Sequence, residues 1–257
     1  MSARRSLAIA RNELRVLRRD PATLVVLIVM PLLVVPIFRS TFRAALVVAG
    51  HRGVSGAEFA VPGQTVEFLF FLAPTVGFAF FREHGWNTWE RLRTSAATGP
   101  EIIAGKALPM LALGATQLVV LFSVGVLLLD LRIDGSVAGT ILVSAGLLVC
   151  VVALGLAITA LARTMQQVAT FGYLGATVFG AVGGALVPAS TMPGWVRAVA
   201  PVTPQYWAMR GYNAMILDGR GLGAALRPTL MLLGYAAVFA GIALARFRFD
   251  DAKVAFA

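Results

Sequence analysis

FREHGWNTWERLRTSAATGPEIIAGK, residues 81–106, is the longest polar interruption between two strongly apolar runs, and its reading decides how the chain is arranged. Arg82, Glu83, His84, Glu90, Arg91, Arg93, Glu101 and Lys106 crowd into it, with Trp86 and Trp89 set among them. The spacing predicts a short helix over 87–94, because Trp89, Leu92 and Arg93 fall three and four apart and share one face. Gly99-Pro100 then interrupts it, since proline has no amide donor and disfavours helix in the residue before it. Charges beside tryptophans suit a helix lying at a membrane surface. An ordinary charged loop between two membrane helices would have the same composition.

Outward from that stretch the chain is apolar in long runs. It has 257 residues, 58% hydrophobic and 13% charged, with a mean hydropathy of +0.82. Soluble domains carry about 25% charged residues, so these figures describe an all-α polytopic membrane protein. Upstream, 59–81 makes one span, with Val61-Pro62-Gly63 near its start and Glu67 inside it. Residues 22–38 make another, containing Pro31 and Pro36. Downstream come 107–129, 137–161, 168–187 and 228–245, which completes six transmembrane helices within a domain of residues 22–257. Residues 188–227 hold Pro193, Trp195, Pro201, Pro204, Tyr206, Trp207 and Tyr212; too interrupted to span, they predict one or two short helices at the outer surface.

Residues 1–21 carry Arg4, Arg5, Arg11, Arg15, Arg18 and Arg19 around a partial stripe of Leu7, Ile9, Ala10, Leu14 and Leu17. That predicts an amphipathic interfacial helix, and no small-residue cleavage site follows to make it a signal peptide. The net charge of +10 does not point to nucleic acid, because the basic residues cluster at the ends of apolar runs. Most of the 22 lysines and arginines, Arg82, Arg91, Arg93, Lys106, Arg163, Arg246, Arg248 and Lys253 among them, fall on the side of the N-terminus. The positive-inside rule therefore places both termini in the cytoplasm.

The pattern Glu83-x-Gly85-x-x-Thr88-x-Glu90-x-Leu92, followed by Gly105-Lys106 at the head of an apolar run, resembles the type-2 family of ABC transporter permeases. These are the membrane subunits of exporters such as the daunorubicin-resistance type, and the resemblance extends more loosely over most of the chain. It departs at Asn87, where the family has glycine before the threonine, and at Ala96, where a proline is usual. The resemblance implies that 82–106 is a cytoplasmic coupling loop docking on a separate ABC ATPase subunit through Glu83, Gly85, Thr88, Glu90 and Leu92. It implies further that ATP and Mg are bound by that partner, with no cofactor in this chain, and that a second permease copy or a homologous permease completes the pathway. The setting it implies is a prokaryotic plasma membrane, crossed several times, with both termini cytoplasmic. Phe68, Phe70, Phe71, Phe78 and Phe80 fit a small hydrophobic or amphipathic cargo of drug, lipid or polyketide kind, although phenylalanines facing lipid would look the same.

Two further features stand out. Gly172, Ala176, Gly180 and Gly184 recur at four-residue spacing, which predicts a helix face for dimer or helix packing. Glu67 is an acidic residue inside a span; it is either an interfacial partner of Arg39 or Arg43 or a pathway residue meeting the substrate. The run from Gly99 to Lys106 imitates a phosphate-binding loop, but five residues separate its glycines and Ala107 follows the lysine. Such a loop needs four, and then Ser or Thr. His51 and His84 are too few, with Cys150 in a span, to build a metal centre or a nucleophilic triad. An intramembrane enzyme or an ion-coupled carrier is the alternative class; either would need a cluster of interior ionisable residues, and Glu67 is nearly alone.

Overall fold

The structure, a computed structural model, describes residues 3–188 and 191–247. Residues 1–2 of the expected interfacial helix, 189–190 of the expected outer segment and the tail with Arg248 and Lys253 lie outside the described residues. Among those described, the regular elements are helices. Ala3–Arg18 is α1, Pro21–Val48 α2, Ala57–Gly85 α3, Trp89–Arg93 α4, Gly99–Leu128 α5 and Val137–Leu161 α6. Residues 165–183 make α7, Gly194–Val199 α8, Pro204–Ile216 α9 and Gly223–Arg246 α10.

Five of these, α2, α3, α5, α6 and α10, are long and apolar enough to cross a membrane. The sixth expected span, α7, is not among them. Its ladder is interrupted by a wider turn at Thr170–Leu174, and Gln166, Gln167 and Thr170 dilute its apolar content. It nevertheless follows α3 in the opposite direction. Val168 packs against Gly77, Gly172 against Pro74, Gly180 against Glu67, and the Ala185 carbonyl against Gly63.

Helix ends differ from expectation where proline and glycine act as caps instead of breaks. Gly99-Pro100 opens α5 eight residues before 107, because a residue without an amide donor suits the first helical turn. Thr98 and Glu101 close a reciprocal capping box there. α2 continues well past 38 to Val48, and a wider turn at Val25–Val29 directly precedes Pro31, whose ring disturbs the regular ladder. At the head of α3, Gly56 adopts φ +93° and the Glu58 carboxylate accepts the amides of Ser55 at 3.0 Å and Gly56 at 2.8 Å. α4 is shorter than the expected 87–94. Asn87 before it takes φ +54°, a left-handed conformation that asparagine tolerates better than most residues, which explains how it stands where the pattern it resembles has glycine.

α3 lies at the centre, buried on all sides along nearly its whole length, with a break at Phe71 just ahead of Pro74. α6, α5, α7 and α9 surround it, and α10 backs α6. The short helices expected in 188–227 form, but α9 is not a surface element. Trp207, Tyr212 and Met215 are buried, and the Tyr212 hydroxyl lies 2.8 Å from Ser144 Oγ in α6. α1 packs on the start of α5 through Ser6, Ala10, Glu13 and Leu17, while Leu7 and Leu14 of the expected stripe face outward.

The crossing of α1 and α5 is set by Gly105. A Cβ there would stand 2.6 Å from Ile9 Cβ and 2.9 Å from the Ser6 carbonyl, so the helices must part to admit one. Gly105→Val is therefore expected to lift α1 off α5 and let it fray, so that trypsin cuts faster at its already exposed arginines. Limited proteolysis of the membrane-inserted protein checks this, and a cleavage pattern unchanged from that of the parent would contradict it.

Candidate functional site

The polar stretch between α3 and α5 folds back on a buried group of charges. Lys106, about two turns into α5, is 1% exposed. Its Nζ donates to Glu83 Oε1 at 2.9 Å, to Glu13 Oε2 at 3.1 Å and to the Ala79 carbonyl at 2.7 Å. Arg82 binds the other oxygen of Glu13, and its guanidinium lies over the Trp86 ring. Two cations and two carboxylates thus neutralise one another across α1, α3 and α5. All three ammonium donors of Lys106 have acceptors, which is the condition for burying that charge without a large penalty.

α4 hangs from this network. The Thr88 hydroxyl donates to the Glu83 carboxylate, and the Thr88 amide donates to the Glu83 carbonyl at 2.9 Å. Trp89 is buried and stacked on His84 with ring centroids 4.6 Å apart, while Leu92 packs partly into the core. Among the coupling candidates, then, Glu83, Thr88 and Leu92 point inward and hold the loop. Gly85 is the half-buried last residue of α3. Glu90 is exposed, and with Trp86, Asn87 and Arg91 it forms the outward surface. A second, peripheral link joins Arg5 to Glu101 at 3.7 Å and to the Ala96 carbonyl.

Glu13 was not singled out by the sequence, and Lys106 entered only as part of the Gly105-Lys106 pattern, as an inner charge and as the lysine of an imitation phosphate-binding loop, not as a buried ion-pair member. The available signal was the spacing of Glu13, the sole acidic residue in a basic helix: it lies three residues after Ala10 and four before Leu17, on the buried stripe.

The small-residue face of α7 is occupied within the chain. Gly172 meets Pro74 with a would-be Cβ distance of 2.7 Å, Ala176 is buried, and Gly180 sits against the Glu67 carboxylate. Gly184 is off that face; at φ +87° it ends the helix in the left-handed conformation. Glu67 itself is 4% exposed, and its Oε2 has no hydrogen-bond partner. The expected pairing with Arg39 or Arg43 is absent among the described residues. Arg39 instead binds Asp130 at 2.9 Å and the Ser55 carbonyl at 3.2 Å. Distance explains this: Glu67 stands ten residues, about 15 Å, along α3 from its first residue and faces α7. Both amide atoms of Gln117 and of Gln205 are likewise buried without partners, features that hydropathy does not reveal.

In comparisons with known proteins, residues 5–217, which include this whole network, match the family described as ABC-2 type transporter. The chain is also similar to the linearmycin resistance permease protein LnrN of Bacillus subtilis (strain 168), with 32% identity over 152 residues. That match covers 59% of this chain and 39% of the relative, so it spans less than half the relative's length.

Removing one member of a buried charge group costs about 3–5 kcal/mol, because its partners are left uncompensated. Lys106→Met is expected to lower the thermal unfolding midpoint in detergent sharply, by leaving the Glu13 and Glu83 carboxylates with Arg82 as their one remaining cation among the described residues. Glu67→Gln is expected to hold or raise that midpoint, since no ion pair is lost and an uncompensated carboxylate is replaced. A clear drop for Glu67→Gln in the same melting experiment would contradict this.

Proposed function

This chain belongs to the ABC-2 type transporter family, and we propose that it is the permease of an ATP-driven exporter of hydrophobic or amphipathic compounds, powered by a separate ATPase subunit. It is a multi-pass membrane protein, the membrane subunit of an ABC transporter. The observation that carries the finer reading is the attachment of α4. An exposed surface at Trp86 and Glu90 is tied through Thr88 and Glu83 to Lys106 in α5, and through Arg82 to Glu13 in α1. A push on that surface by an ATPase subunit would move α1, α3 and α5 together.

In this reading ATP and Mg belong to the partner subunit, and two permeases, identical or homologous, enclose the pathway. The protein lies in a prokaryotic plasma membrane with both termini cytoplasmic, and α7 completes a sixth crossing beside α3. The coupling loop is then cytoplasmic, and the turn at Asp130, together with α8 and α9, is external. Cargo of drug, lipid or polyketide kind is supported by the apolar walls and by the similarity to a permease named for linearmycin resistance. Glu67 becomes a pathway residue only when α7 moves off it, because Gly180 covers it here.

Docking on an ATPase is tested by reversing the exposed charge. Glu90→Lys is expected to leave insertion intact, weaken co-purification of the ATPase subunit by roughly tenfold, as for a lost interfacial charge contact, and reduce export accordingly. Unchanged co-purification, cargo-stimulated ATPase activity and export in that variant would remove α4 as the docking element.

A further inference from the structure

At the end of the bundle opposite the ion network, α2 overshoots its lipid-length core and its last turns stand over the loop that leads into α3. Between them opens a cleft of about 1110 Å³. Arg39, Ser40 and Arg43 project from α2 on one wall, and Ser55, Asp130 and Arg132 form the other. Three guanidiniums face one carboxylate. That carboxylate, Asp130, is engaged by Arg39, and nearby Glu58 is buried and taken up by the Ser55 and Gly56 amides. Arg43 and Arg132 are exposed and carry no ion pair among the described residues. The cleft therefore holds positive charge that its own acidic groups do not neutralise.

The same face of α2 continues toward the middle of the helix as an apolar track. Stepping back by three and four residues from Ser40 leads to Ile37 and Leu33, which are 69% and 59% exposed. A ligand filling both regions has an anionic head and an aliphatic tail aligned with a membrane-spanning helix. We propose that the cleft is a binding site for the phosphate headgroup of an anionic membrane phospholipid, with Arg43 and Arg132 as its ligands and an acyl chain lying on Leu33 and Ile37. Guanidinium forks match phosphate oxygens in pairs, and the site lies where Arg39 and Arg43 interrupt the apolar sequence of α2, as polar headgroups interrupt the apolar part of a membrane. The inference needs only that the chain spans a membrane, and it stands whatever cargo is exported.

The test uses the delipidated full chain in detergent, titrated with dioctanoyl phosphatidylglycerol, dioctanoyl phosphatidylcholine or inorganic phosphate, with bound adducts counted by native mass spectrometry. The expected result is one phosphatidylglycerol per chain, bound more than about tenfold tighter than phosphatidylcholine and not displaced by equal inorganic phosphate. Arg43→Gln with Arg132→Gln should weaken phosphatidylglycerol by a similar factor, whereas Arg163→Gln at the other end of the bundle should leave it unchanged. If the double glutamine variant is not monodisperse, Arg43→Lys with Arg132→Lys, which keeps the charge but not the paired contacts, should retain a smaller preference for phosphatidylglycerol over phosphatidylcholine. Equal binding of the two lipids, an unaffected glutamine variant, a lysine variant without the preference, or displacement by inorganic phosphate would each overturn the proposal, the last by showing a free-anion site.

Discussion

Lys106 is a charge that the fold cannot leave alone. It lies inside a membrane-spanning helix, fully shielded from solvent, and its burial is tolerable only because three acceptors converge on it from α1 and α3. That requirement sets the position of the N-terminal helix, since Glu13 must reach the ammonium. It also sets the path of the chain after α3, since Glu83 is shared between Lys106 and Thr88. A loop that could have been a loose connector is thereby tied at its base to three helices. Such a connection is rigid, because none of its members can shift without separating opposite charges in a poorly polarisable setting.

Small residues supply the rest of the order. Without a hydrophobic force between helices in lipid, close backbone approach gives the packing energy, and the helix surfaces around α3 are notched for it. Gly63 and Gly77 admit the two ends of the α7 segment, Gly155 of α6 meets the Ala73 carbonyl at a would-be Cβ distance of 2.6 Å, and Gly114 of α5 receives Leu148. α3 becomes a spine that carries the polar loop at one end and the glycine-rich bend at Gly56 at the other. α2 and α10, by contrast, keep broad apolar faces exposed, as helices at the rim of a membrane protein do.

The two ends of the molecule are built differently. At one, charges are paired and buried, which suits a rigid joint; at the other, arginines stand exposed around a cleft with one carboxylate among them. The first arrangement favours a fixed shape. The second favours a ligand that supplies the missing negative charge.

By itself the sequence determined the all-α membrane architecture, α6 to the residue and the place of the polar segment between α3 and α5. These depend on local pattern: hydropathy over a helix length, basic residues at span ends, and a short motif between two spans. Only the tertiary structure decided what Glu13, Lys106, Glu67 and Gly180 do. Glu13 and Lys106 are 93 residues apart in the chain, and nothing in either neighbourhood announces the other. The glycine spacing of α7 signalled a packing face but not its occupant, which is α3 of the same chain. Glu67 lay within a span whose hydropathy was plain, yet its neighbours depended on which face of α3 met α7. Periodicity reports that a face exists, whereas its partner follows from how the whole bundle closes.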